Sequence, residues 1–140
     1  MEQTKYAAAL STSLPGTSSN YPANWKRLHN IPYPRNKNFY GREDILTKIH
    51  ECLAPVNQSD EDKLSCVTLY GLGGVGKTQI ALEYAHRHRD TYSARFWITT
   101  DTPENASRSF NEIARKLEIK DLNDAITQAR VKDWFSDRGM

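Results

Sequence analysis

"YGLGGVGKTQ", residues 70–79, sets four glycines, a lysine and a threonine within ten positions. Gly71, Gly76, Lys77 and Thr78 fit the spacing G-x-x-x-x-G-K-[ST]. The residue types suit an anion. Glycines let the backbone turn and bring its N–H groups close, with no Cβ in the way. A helix beginning at the lysine aims its unpaired N–H groups and positive dipole end at the same point. The lysine can then reach the outer groups of a phosphate chain, and the threonine hydroxyl can meet Mg²⁺. The bland alternative is a glycine-rich turn without a ligand. Context decides between them. "LSCVTLY", 64–70, is apolar and β-branched and reads as a strand. "KTQIALEYAHRHRD", 77–90, reads as a helix with Ile80, Ala81, Tyr84, Ala85 and His88 on one side. Strand, glycine loop and helix come in the order the motif requires.

Working outward, the pattern is α/β. A helix is expected from Glu43, with Ile45, Ile49, Cys52 and Leu53 on its apolar face and Pro55 ending it. "ARFWITT", 94–100, reads as a second strand. Thr102 and Pro103 are an N-cap and first-turn pair. They open a helix whose face is Ala106, Phe110, Ile113, Ala114 and Leu117. A weaker helix is expected over 123–135. Alternating helices and strands of this kind build a parallel sheet with crossover helices. Residues 1–38 are rich in Ser, Thr, Pro, Gly and Asn and read as a flexible arm. Trp25 and Tyr33 could dock that arm on a neighbour.

Composition narrows the function classes. Nineteen basic and 17 acidic residues leave a net charge of +2, too small to argue for a nucleic-acid surface. The longest apolar run is five residues, "YAAAL" at 6–10, so no transmembrane helix is expected. No secretory signal is expected either. Cys52 and Cys66 lack metal-site spacing and read as buried reduced thiols. The expected location is cytoplasmic. "HRHRD", 86–90, reads as a solvated helix end, since His86 and His88 are wrongly spaced to place two ligands on one helix face. Asp101 reads as a turn cap. Glu43 and Asp44 suit the positive end of their helix.

"NFYGRED", residues 38–44, precedes the glycine loop by thirty positions, Gly41 to Gly71. Alone it reads either as a capped helix start or as part of a nucleobase pocket. Followed by "VTLYGLGGVGKTQIALEYAHRH" and "ARFWITTDTPENASRSFNEIARKL", it resembles the NB-ARC class of STAND signalling P-loop NTPases, in particular those of fungi. The resemblance spans roughly residues 30–140. It implies a P-loop fold, three-layer α/β/α with a parallel sheet. It implies that Phe39, Tyr40, Gly41 and Arg42 contact adenine. It implies that Gly71, Leu72, Gly73, Gly74, Val75, Gly76, Lys77, Thr78 and Gln79 hold the phosphates of ATP or ADP, with Thr78 on Mg²⁺. Such proteins are nucleotide-controlled switches that oligomerise and carry effector and repeat domains.

Hydrolysis asks for more. A strand-end acid must help hold the metal ion, and another group must orient water. The signal would be four apolar residues followed by Asp-Asp or Asp-Glu. Residues 101–140 hold no apolar run longer than a pair such as Trp134–Phe135. The expectation is therefore the N-terminal part of the domain, residues 39–140, truncated before that strand and binding nucleotide without a competent hydrolytic site. The resemblance also implies a strand order in which two later strands would separate the two that are present. Poor stability and exposed apolar stripes on helices 80–90 and 106–117 are expected to follow. The alternatives are a non-catalytic or dominant-negative interaction fragment and another P-loop class, a small-molecule kinase or AAA+ ATPase.

Overall fold

The computed structural model describes residues 28–53, 65–92, 94–119 and 123–138. Its elements are β1 (Leu28–His29), α1 (Glu43–Leu53), α2 (Lys77–Arg87), β2 (Ala94–Arg95), α3 (Pro103–Lys116) and α4 (Asp124–Arg138). All four expected helices form. α3 starts as its sequence demands: the Thr102 side chain accepts from the Asn105 N–H at 3.2 Å, and Pro103 occupies the first turn. The Asp101 carboxylate accepts from the Thr102 N–H and from the Asn105 side chain, the turn-capping role expected of it. α1 carries Glu43 and Asp44 in its first turn. Its buried stripe is Leu46, Ile49 and Leu53, with Ile45 at the edge. Cys52 falls off that stripe and is exposed, as is Cys66; both are free thiols, so the expected burial is corrected.

Two apolar clusters form. The first joins Leu46, Ile49 and Leu53 of α1 to Ile80 and Tyr84 of α2, with Phe39, Val67, Leu69 and Tyr92 packed on it. The second joins Ile113 and Ala114 of α3 to Val131 of α4, with Phe96, Ile98 and Phe135 packed around. The apolar stripes of α2 and α3, expected to be exposed, are covered by α1 and α4. The large apolar side chains in the open are elsewhere: Tyr40, Tyr70, Leu72 and Val75 among them.

The sheet differs most from expectation. β2 pairs in parallel with β1, in register Leu28↔Ala94 and His29↔Arg95. Asn30 continues the ladder with its side chain. Its Nδ2 donates to the Trp97 carbonyl at 3.1 Å, and its Oδ1 accepts from the Trp97 N–H. Tyr33 meets Trp97 edge to face at 6.0 Å. Residues 28–38, expected as flexible arm, are thus a strap laid across the body; Trp25 lies outside the described residues. Residues 65–70 show strand-like alternation, with Val67 and Leu69 turned inward and Cys66, Thr68 and Tyr70 outward, but carry no strand assignment. A strand is defined by a bonded neighbour, and β2, the other expected strand, is paired to β1.

Ile113 and Val131 are both fully buried. Ile113→Ala should destabilise the α3–α4 pair by about 2–5 kcal/mol. Chemical denaturation followed by circular dichroism should show an earlier midpoint.

Candidate nucleotide site

The glycine loop runs from the extended segment 65–70 into α2. Gly71, Gly74 and Gly76 all have positive φ, at 148°, 78° and 92°. A Cβ on Gly74 or Gly76 would meet nothing within 4 Å, so backbone conformation, not space, calls for glycine there. Gly76 is also the N-cap of α2, in the left-handed region, and it makes no side-chain cap. No acidic residue lies in the first turn of α2. That contrasts with α3, which has the Thr102 cap and Glu104. α2 therefore presents a positive end that its own sequence does not neutralise.

Lys77 folds over this loop. Its ammonium donates to the Gly71 and Leu72 carbonyls at 2.8 and 2.9 Å. An ammonium has three donors, so one remains for an anion. Left-handed glycines, an uncapped helix start and a lysine form a donor set that fits a phosphate chain. Leu72, Gly73, Gly74, Val75 and Thr78 are exposed along the loop and first turn. Gln79 is held: its Oε1 accepts from the Asn36 side chain at 3.4 Å.

The "FYGR" residues divide. Phe39, half-buried, packs on the first apolar cluster. Tyr40 is 96% exposed and carries the free ring. Gly41 and Arg42 are both left-handed, at φ 76° and 61°. The Arg42 carbonyl accepts the Ile45 and Leu46 N–H groups, starting α1. Phe39 thus joins the cluster that α1 and α2 share, and the Asn36–Gln79 bond ties the segment to the first turn of α2.

A charge network stands behind them. Glu83, 3% exposed, accepts from Arg35 at 3.0 and 2.6 Å and from Arg87 at 2.7 Å. Arg87 also forks onto Glu43 at 2.6 and 2.8 Å. Hydrogen bonding from Arg35, then from Arg87, outweighs burial and holds the Glu83 carboxyl down at about 2. This network was missed in the sequence. The signal was there: a glutamate between Leu82 and Tyr84 on a buried helix needs a partner. "HRHRD" is likewise less solvated than expected. His88 stacks on His50 at 4.3 Å, and burial followed by His50 lowers its pKa. Among the described residues no group of His, Cys, Asp and Glu could hold a metal ion.

The description of the AAA ATPase domain matches residues 38–138. The chain belongs to the AAA ATPase domain family. It is a P-loop NTPase by that membership, and its helices and short parallel pair are compatible with part of such a fold. A nucleotide-binding leucine-rich repeat-like protein of Hyaloscypha variabilis is 37% identical over 98 residues, 67% of this chain and 10% of that protein. A putative disease resistance protein of Arabidopsis thaliana is 27% identical over 107 residues, 75% of this chain and 12% of that one. The domain thus spans about a tenth of the length of these relatives, and the matches agree with the NB-ARC resemblance. No solved structure matches. Among the described residues no helix is long and apolar enough to cross a membrane.

Glu83 supplies a pH signature. Its folded pKa lies below the ordinary 4.5, so the stability it contributes is complete above 4.5 and is lost as pH falls toward about 2. Wild type should be more stable than Glu83→Gln at neutral pH, and that gap should close across this window. Thermal melts of both proteins over the acid range check it.

Proposed function

We propose that this AAA ATPase domain is the ADP/ATP-binding module of an NB-ARC-type signalling switch, holding adenine nucleotide and Mg²⁺ without a competent hydrolytic site in these 140 residues. One observation carries the reading. α2 begins uncapped, with no acid in its first turn, beneath positive-φ glycines and the Lys77 ammonium. The N–H groups of Gly71–Gln79 would wrap the phosphates. Lys77 would pair with the outer ones, and the Thr78 hydroxyl would take a place on Mg²⁺. The ion, when bound, supplies charge that neutralises the phosphate oxygens. Phe39, Tyr40, Gly41 and Arg42 would meet the adenine, with Phe39 also packed on the first apolar cluster.

Hydrolysis is set apart because no apolar run ending in paired acids follows residue 100. The three-layer α/β/α architecture, a cytoplasmic setting, self-assembly and partnership with effector and repeat domains belong to the same reading. Their support is the resemblance to much longer relatives.

Calorimetric titration with MgADP and MgATP should show binding, and Lys77→Ala should weaken it sharply. Charge-assisted hydrogen bonds contribute about 1.5–3 kcal/mol each, so losing the ammonium weakens affinity by one or more powers of ten. Equal affinity in wild type and variant would refute the phosphate loop. Phosphate release from ATP should stay at background; turnover that disappears in Lys77→Ala would overturn the non-hydrolytic half of the proposal.

A further inference from the structure

Gly41 and Arg42 are consecutive left-handed residues, and Arg42 is not a glycine. Such a backbone persists only where its surroundings impose it. Here both flanks are fastened to one helix. On the N-terminal side, Arg35 makes a two-bond fork with Glu83. On the C-terminal side, Glu43, the residue after Arg42, makes a second fork with Arg87. Glu83 and Arg87 stand one turn apart on α2 and bond each other, which closes the chain Arg35–Glu83–Arg87–Glu43. α2 is the helix that begins at Lys77. The segment bearing exposed Tyr40 is therefore bridged at both ends to the helix that carries the phosphate loop.

We propose that this four-residue ion chain is a positioning device that sets base recognition against phosphate recognition. It rests on the nucleotide reading above. None of the four need touch the ligand. They fix where the Tyr40–Arg42 turn stands relative to Lys77, so the base and phosphate ends of one nucleotide can be met together. Bidentate guanidinium–carboxylate pairs suit the task because they fix orientation as well as distance. The pairs act as a unit, so their loss is not additive.

The test compares a ligand that spans both ends with one that uses only the phosphate end. MgADP and Mg-tripolyphosphate are titrated into the full chain and into Arg35→Gln, Glu83→Gln and the double variant. Arg35 is 55% exposed, so its replacement leaves the packing intact even if Glu83→Gln lowers the melting temperature. ADP affinity should fall about tenfold in Arg35→Gln, as a displaced binding group predicts. Tripolyphosphate affinity should hold within a factor of about two, and the double variant should be no worse than the weaker single. Arg35→Lys, which keeps the charge and loses the fork, should recover only part of the ADP affinity. Amide exchange at Ile45 and Leu46, whose N–H groups bond the Arg42 carbonyl, should quicken in Arg35→Gln without any ligand. A parallel fall for both ligands would reduce the chain to general scaffolding and overturn the proposal, as would unchanged ADP affinity. Binding of neither ligand by the wild type would overturn the nucleotide reading and this inference with it.

Discussion

A carboxylate buried in the middle of a helix is the constraint around which this structure is arranged. Glu83 lies at 3% exposure between Leu82 and Tyr84, both also buried. An unpaired charge there would be strongly destabilising. Two guanidiniums answer it, one from its own helix and one from the strap. Arg35 sits 48 residues upstream of Glu83, so neutralising the charge also fixes a long-range contact. The strap is then secured at several points: the β1–β2 pair, the Asn30 side-chain ladder, the Tyr33–Trp97 contact and Arg35. Only one of these is apolar. The position of the "FYGR" segment follows from polar bonding to α2, not from burial alone.

What the sequence discloses is what is decided locally. The glycine loop is legible because positive φ is a property of single residues, and the structure puts Gly71, Gly74 and Gly76 there. The start of α3 is legible because Thr102 and Pro103 act within one turn. The α1 face is legible only approximately: periodicity finds the helix but misplaces the stripe enough to bury Cys52 on paper and expose it in fact. What the sequence hides is nonlocal. "NIPYPRNKN" has the composition of a linker, yet the Asn30 side chain bonds the backbone of Trp97, 67 residues away and just past β2. Composition measures how much surface a segment can bury, whereas this one is held by hydrogen bonds. Within the candidate site the same division holds. The positive-φ glycines could be read, whereas of the arginine–glutamate support only the need of Glu83 for a partner could, because the other members are scattered at 35, 43 and 87.

Residues 65–70 show how pattern and structure part. Their alternation is that of a strand, and Val67 and Leu69 face the first apolar cluster. Alternation reports one packed face; it does not supply a bonded neighbour. The segment nevertheless does one job of a sheet strand, delivering the chain to Gly71 with a fixed inward face. The loop's start is thus tied to the core through Leu69, and its end through Ile80.

The two ends of the site are built by opposite strategies. The phosphate loop is under-satisfied: α2 has no cap, and its lysine rests on the loop's own carbonyls. The Phe39–Arg42 segment is over-determined: a left-handed pair, an apolar contact at Phe39 and an ion pair at each flank. On the proposed reading, the open interactions lie where charge would be met and the rigidity where shape would be read. Binding to such a loop also stabilises the folded state, by an amount that grows with ligand concentration over Kd. Among the described residues the apolar core is divided into two small clusters, and the glycine loop is coupled to the first of them through α2, which carries the lysine, the buried glutamate and two of that cluster's five buried residues.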